Sequence, residues 1–177
     1  MKAAAALALT LLLLACRTGA HAADDCAFQP SAALLQPHAY AGQSQVRESG
    51  NRLREEARLG QGMHIEIRHG GCADFVTTEY VLTVPDTARS DDALIDLART
   101  EIGRLRTRRP PSERAGVLAF LQHAHTLQTR DAARAVCKDG SAADAGACSW
   151  DSGGGYVVAV KRTGRATQVS VMEYVSG

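Results

Sequence analysis

Several features that would identify a function are missing from this sequence of 177 residues. Its cysteines show no Cys-x-x-Cys spacing, which argues against a zinc site. It contains no cofactor-binding motif, so we expect no cofactor. No internal repeat or low-complexity tract is found. The charge balance is near neutral, which argues against nucleic acid as a partner and provides no electrostatic attraction to a membrane.

The clearest positive feature is the beginning of the chain. Lys2 precedes a largely apolar run, residues 3–15, which is too short to span a bilayer. The small-x-small site Ala20-His21-Ala22 follows. This pattern predicts a secretory signal peptide over residues 1–22 and a periplasmic or secreted mature chain without a transmembrane segment. The signal peptide would remove Lys2 and Arg17, leaving 18 basic against 19 acidic residues, a net charge of −1.

A second cleavage site competes with the first. Leu13-Leu14-Ala15-Cys16 resembles the lipobox of bacterial lipoproteins, in which the cysteine is lipidated and anchors the chain to the membrane. The charged Arg17 comes next, where lipoprotein tethers are usually small and polar. Soluble export is therefore the favoured prediction, with lipid anchoring through Cys16 as the alternative.

The remaining cysteines form an even set in a chain predicted to be exported, so we expect two disulfide bonds. They are Cys26, Cys72, Cys137 and Cys148. Four cysteines allow three pairings. The short polar loop between Cys137 and Cys148 favours that pair, which leaves Cys26 with Cys72. Each bridge would stabilise the fold by about 3 kcal/mol.

Residues 23–50 carry little apolar periodicity, and we expect an irregular lead-in there before a single domain over residues 51–177. Arg52–Leu59 fits either a strand or a helix, and Gly60-Gln61-Gly62 after it favours a hairpin. Met63, Ile65 and Ile67 alternate with polar residues and predict a strand. A further alternating strand is predicted from Phe75 to Val84.

Two helices and a terminal hairpin are predicted next. Ser90 is suited to cap a helix, and Pro110-Pro111 separates it from a second helix whose apolar stripe extends to Ala132. A turn at Thr163-Gly164 would place Val158 opposite Val169. The predicted fold class is therefore α+β, with a small antiparallel sheet of four or five strands in the order ββ(β)-αα-ββ, packed against a helix pair and disulfide-stapled.

One short segment invites a catalytic interpretation. Cys148–Gly155 resembles the nucleophile segment of chymotrypsin-like serine proteases, with Ser152 at the nucleophile position. Trp150 replaces the glycine whose N–H builds the oxyanion hole, and Gly155 replaces the proline. The family's histidine segment has no counterpart upstream. We therefore expect a glycine-rich loop that leads into a strand, and no catalytic residue is predicted there.

Charged side chains on the first predicted strand suggest two alternatives. His64 and Glu66 share a strand face and could reach one metal ion, whereas His69 has the opposite parity. The same pattern is typical of a solvated face on which Arg68 and Glu79 form cross-strand ion pairs. The second interpretation is favoured, so no metal site is predicted.

The densest charge feature lies at the junction of the two predicted helices, where six arginines fall within sixteen residues. Cations are expected at a helix C-terminus because they complement the helix dipole. This cluster could also grip a carboxylate, phosphate or sulfate group. The candidate binding residues are Arg104, Arg106, Arg108 and Arg109.

The expected function follows from size, export and the absence of catalytic motifs. We expect a non-enzymatic binding or inhibitor-type domain that acts on another envelope macromolecule, either a protein or a cell-envelope component. The alternative is a small periplasmic hydrolase that uses His64, Glu66 and Glu79 as its acid and base groups.

Overall fold

The described chain folds as one antiparallel sheet covered by helices on one face. A computed structural model describes residues 33–48, 52–72, 75–85, 88–107, 109, 111–129, 132–141 and 153–176. Within these residues seven strands lie in the spatial order β1-β2-β3-β4-β7-β6-β5. They are β1 (Ala41–Arg47), β2 (Leu53–Arg58), β3 (His64–Cys72), β4 (Phe75–Val84), β5 (Ala133–Cys137), β6 (Gly155–Thr163) and β7 (Ala166–Ser176). Two helices, α1 (Asp91–Leu105) and α2 (Pro111–His123), lie between β4 and β5 in the chain.

The predicted sheet of four or five strands in the order ββ(β)-αα-ββ is wrong, because seven strands are present and the chain order is ββββ-αα-βββ. The first additional strand, β1, falls within the segment expected to be irregular. It lies at the sheet edge with six of its seven residues exposed, so it lacks the alternation that identifies a half-buried strand. The second, β5, begins directly after Ala132. The φ of Ala132 is 62°, which is incompatible with a right-handed helix, so the predicted second helix cannot include this residue.

The disulfide-stapled description also needs correction. Cys26 and Cys148 lie outside the described residues, as does the side chain of Cys72. Cys137 is disulfide-bonded. Within the described part of the chain no bridge has both its cysteines, so the sheet and the helix pair define the fold there. The pairing of the four cysteines stays a prediction.

The hydrophobic core lies between the inner face of the sheet and the helix pair. Alternate residues of the central strands point inward, among them Ile65 and Ile67 of β3 and Val169 and Val171 of β7, all fully buried. From the helices come Leu94, Ala98, Ile102, Val117 and Leu121. Helix α1 packs against β6 and β7, and α2 packs against β6. Burial of these residues is the main stabilising contribution to the fold.

The boundaries of α1 agree with its sequence signals. The Ser90 hydroxyl accepts a hydrogen bond from the Ala93 N–H at 3.3 Å, as expected of an N-cap, and Asp91 and Asp92 occupy the positive first turn. No helix in the described ranges is long and apolar enough to cross a membrane.

The terminal hairpin has a different register from the predicted one. Thr163 pairs with Ala166, so Gly164 and Arg165 form the two-residue turn, and Gly164 takes a φ of 53°. Val158 consequently lies opposite Val171, not Val169. A shift of two residues leaves every side chain on its expected face, because strand side chains alternate with a period of two.

Candidate binding site at the end of the sheet

Arg106 marks the point where α1 ends over the sheet. It is the C-cap residue of α1, and its side chain turns inward until the residue is only 6% exposed. Its Nη2 atom donates to Oε2 of Glu173 at 2.8 Å, and its Nε–H donates to the hydroxyl of Tyr80. The guanidinium also lies over the Tyr80 ring, 5.3 Å from the ring centroid. A buried cation is tolerable only with such partners.

These contacts determine the charge state of Tyr80 and the orientation of the Arg106 side chain. Burial raises the pKa of Tyr80 to about 12, so its hydroxyl is neutral and serves Arg106 as an acceptor. Lys138 approaches the same carboxylate from another side, with Nζ 3.5 Å from Oε1 of Glu173. Glu173 therefore lies between two cations, and Arg106 is held in a single orientation.

A cavity of about 250 Å³ opens beside this cluster, at the end of the inner sheet face. Its polar lining comes from His69, Thr78, Arg106, Arg109 and Glu173, and its apolar lining comes from Leu34, Val76 and Val175. Val175 is 39% exposed and lies at the opening. The cavity lining thus combines charged and apolar side chains.

A buried carboxylate holds the segment that carries Leu34 against the sheet. Glu55 of β2 accepts hydrogen bonds from the Leu34 and Leu35 N–H groups, each at 2.9 Å. Its Oε1 atom also lies 2.7 Å from Nε2 of His69 on the neighbouring strand. The Gln45 side chain of β1 adds a bond of 3.3 Å to Oε2. Glu55 therefore joins the first segment, β1, β2 and β3 at one buried point.

The electrostatics of Glu55 follow from these contacts. Burial alone would raise its pKa, but the hydrogen bond and electrostatic interaction with His69 and the two amide hydrogen bonds together outweigh burial. The net result is a pKa below the ordinary value, so the group is a carboxylate at neutral pH. An ionised group in the core is compensated here by several donors.

The structure separates the four predicted binding arginines. Arg106 and Arg109 both line the cavity. The side chain of Arg104 is 70% exposed and pairs with Glu101 at 3.2 Å, outside the cavity lining. Arg108 lies outside the described residues. Of the three described arginines in the predicted set, Arg106 and Arg109 are therefore the two that the fold brings together.

The predicted acid and base groups lie on the opposite face of the sheet. Arg68 binds both oxygens of Glu66, at 2.7 and 3.1 Å, and also contacts Glu79 at 3.1 Å. Ser170 donates to the other oxygen of Glu79 at 2.7 Å. Hydrogen bonds from Arg68 hold the pKa of Glu66 below its ordinary value. In the described part of the chain no three His, Cys, Asp or Glu side chains are grouped so as to hold a metal ion.

The sequence analysis missed the buried Glu55 and the partly buried Glu173, and it considered the buried His69 only as a metal ligand. Each continues an apolar alternation: Glu55 lies between Leu53 and Ala57, His69 follows Ile65 and Ile67, and Glu173 follows Val169 and Val171. A charged residue in phase with buried apolar neighbours is the signal that could have identified them. Ser152, which matches the nucleophile position of the protease-like segment but was not predicted to be catalytic, lies outside the described residues.

Comparison with known proteins finds no family model, no curated protein and no solved structure that matches this chain.

Proposed function

We propose that this chain is an exported, non-enzymatic binding protein whose cavity at the end of the sheet holds one group of another envelope macromolecule. The observation that carries the proposal is the cavity itself, with Arg106 fixed in its wall and Arg109 beside it. Export rests on the signal-peptide pattern of residues 1–22.

The size of the cavity favours a macromolecular partner. Pockets for complete small ligands usually measure about 300–1,000 Å³. A cavity of about 250 Å³ suits a single anchoring group of a larger partner. Protein interfaces commonly concentrate their binding energy in one such anchored pocket. Because Arg106 is already held by Tyr80 and Glu173, little ordering of its side chain is required on binding.

The hydrolase alternative has less support. A general acid at neutral pH needs a raised pKa, whereas the pKa of Glu66 is lowered by Arg68. Both oxygens of Glu66 are bound by the same guanidinium. Ion pairing of this kind is typical of a solvated sheet face.

The test is affinity capture from envelope extract with three forms of the mature protein. Val175→Trp would fill the cavity opening. Val46→Trp is the matched control, since Val46 is 42% exposed on the edge strand and does not line the cavity. We expect the wild type and Val46→Trp to capture the same macromolecule and Val175→Trp to lose it. Equal capture by all three forms, or none by the wild type, would contradict the proposal.

Two further measurements test the other parts of the proposal. Incubation with purified cell wall and envelope protein should give no turnover, and turnover that is lost in Glu66→Gln would establish the hydrolase instead. N-terminal sequencing of the exported protein should begin at Ala23. Recovery in the membrane fraction with a lipid on Cys16 would show the lipoprotein route.

A further inference from the structure

We propose that two copies of this protein associate through one edge of the sheet, with strand β1 of one copy pairing antiparallel to β1 of the other. This surface is separate from the cavity, because the described lining of the cavity contains no β1 residue. Three features of β1 carry the proposal: its position in the sheet, the direction of its backbone groups and its self-complementary sequence.

Strand β1 presents backbone hydrogen-bonding groups away from the sheet. It is an edge strand, and within the described residues only β2 pairs with it. The Glu48 N–H donates to the Arg52 carbonyl oxygen at 2.8 Å, so these opposed residues form a hydrogen-bonded pair. Because such pairs alternate along an antiparallel ladder, the backbone groups of Gln45 and Arg47 point away from β2. An edge with this geometry is a template for another strand.

The two edges of the sheet differ in how open they are. On β5, the N–H of Cys137 already donates to the Ser141 carbonyl oxygen at 3.0 Å. On β1, residues 44–46 include neither a charged residue nor a proline, which are the usual means of preventing edge pairing. The register of β1 shifts between Ala41 and Ser44, so regular pairing is confined to the residues from Ser44 onward. That regular part of β1 is therefore the edge suited to accept a strand.

The sequence of β1 selects one register for self-pairing. When Val46 lies opposite Val46 of the second copy, Gln45 of each copy lies opposite Arg47 of the other, and their outward N–H and C=O groups exchange hydrogen bonds. The ladder then uses the regular segment from Ser44 to Glu48. Centring the pair on Arg47 would place like charges opposite each other. Centring it on Gln45 would extend the ladder into the irregular part of β1.

The side chains suit this register. Val46 is 42% exposed, and the pairing would cover it with the same residue of the second copy. Arg47 would lie opposite the neutral Gln45, and Glu48 opposite the neutral Ser44, so no like charges are directly opposed. The two-fold axis of such a pair is perpendicular to the sheet, which leaves both helix pairs on the same side of one continuous sheet.

The first test is the oligomeric state of the exported protein. Sedimentation velocity from about 1 µM to about 500 µM should show a monomer converting to a dimer, since a single strand pair is a small interface. Arg47→Pro removes an outward N–H without removing a bond to β2, and it should weaken the dimer about tenfold. Arg47→Ala keeps that N–H and should associate as the wild type does. A monomer over the whole range would overturn the proposal and leave the edge to a strand of a different protein.

Cysteine substitutions test the register. Val46→Cys would place two thiols opposite each other in a non-hydrogen-bonded pair, where side chains approach most closely, and mild oxidation should join the two copies by a disulfide. Ser44→Cys lies on the same face of the same strand, but its two copies would be about 14 Å apart, beyond the reach of a disulfide. We expect far more covalent dimer from Val46→Cys than from Ser44→Cys or the wild type. Equal yields from the two variants would overturn this pairing.

A second disruptive variant keeps the proposal testable if Arg47→Pro fails to fold. Val46→Asp would place like charges directly opposite each other and should weaken the dimer about tenfold. Phe75→Asp is the matched control, since Phe75 is 41% exposed on β4 and should not affect association. Val46→Trp should stay dimeric, because an aromatic pair is favourable at directly opposed positions. Unchanged association in Val46→Asp, or an equal loss in Phe75→Asp, would overturn the proposal.

Discussion

The Nε2 atom of His69 lies 2.7 Å from Oε1 of Glu55, and the two side chains are 1% and 0% exposed. This contact is diagonal between β2 and β3 on the inner face of the sheet, because the register pairs Glu55 with Ile67 and His69 with Leu53. Because Glu55 also binds the Leu34 and Leu35 amides, the pair determines where the first described segment lies and hence where Leu34 contributes to the cavity.

Removal of this carboxylate should be strongly destabilising. Glu55→Ala removes the acceptor that the His69 ring shares with the part-buried Leu34 amide and the buried Leu35 amide, and we expect the free energy of unfolding to fall by about 3 kcal/mol. Glu56→Ala is the control, since the Glu56 side chain is partly exposed and pairs with Arg54 at 3.0 Å. That change should cost less than about 1 kcal/mol. Urea denaturation of the two variants measures both effects, and similar losses would contradict the prediction.

The lowered pKa of Glu55 predicts a pH dependence of stability. A carboxylate whose pKa is lower in the folded state stabilises the fold above its unfolded pKa of about 4.3, and this contribution is lost as the pH falls through the folded pKa. Glu55→Gln lacks the titrating group. The advantage of the wild type over Glu55→Gln should therefore be constant near pH 6 and shrink below about pH 5. Parallel stability curves from pH 6 to pH 3 would show that Glu55 does not titrate in this way.

Arg106 should stabilise the fold in addition to lining the cavity. Arg106→Met removes the closer of the two cations beside the largely buried Glu173, leaving Lys138 at 3.5 Å, and should lower the free energy of unfolding by about 3 kcal/mol. Arg104→Met, at an exposed ion pair, should change it by less than about 1 kcal/mol. Combining Arg106→Met with Glu173→Leu should recover part of the loss, because the carboxylate that lost its closer cation is then absent. A double variant as unstable as the sum of its single changes would contradict this account.

Two helical glycines should respond oppositely to alanine. A Cβ at Gly116 of α2 would overlap the hydroxyl of Tyr156, whose ring stacks on Phe120 with centroids 5.5 Å apart. A Cβ at Gly103 of α1 would make an ordinary contact of 3.8 Å with Leu118. Gly103→Ala should therefore stabilise the protein by up to about 1 kcal/mol. Gly116→Ala should destabilise it by about 1 kcal/mol, since overpacking outweighs helix preference. Thermal unfolding of both variants tests the contrast.

Local signals in the sequence predicted part of the fold. The Ser90 cap and the apolar spacing from Leu94 onward predicted α1, and the alternation of Ile65 and Ile67 predicted β3. Both elements bury one face against the core, so their apolar residues recur with the period of a helix or a strand. Edge strand β1 has no buried face, and its sequence therefore shows no apolar alternation.

The cavity depends on relationships between distant parts of the chain. Arg106 and Glu173 are 67 residues apart, and their contact requires β7 to lie beside β4 under the end of α1. The sequence shows that arginines are concentrated at the junction of the helices. It does not show that the Arg106 side chain turns inward while that of Arg104 stays exposed. Strand order in a sheet is a property of the whole chain, and it determines which charged residues meet.

The pairing of β4 with β7 also governs how the chain must fold. Strands β1 to β4 form one meander and β5 to β7 form another, and each can assemble from neighbouring segments. The ladder between the meanders joins Val84 to Thr167 and Phe75 to Ser176, which closes a loop of roughly 80–100 residues. The entropic cost of that closure falls on a single step at the centre of the sheet. Refolding should therefore be limited by the docking of the two meanders. Helices α1 and α2 lie within the loop, so they contribute to the length of chain that must be closed before β4 and β7 can pair.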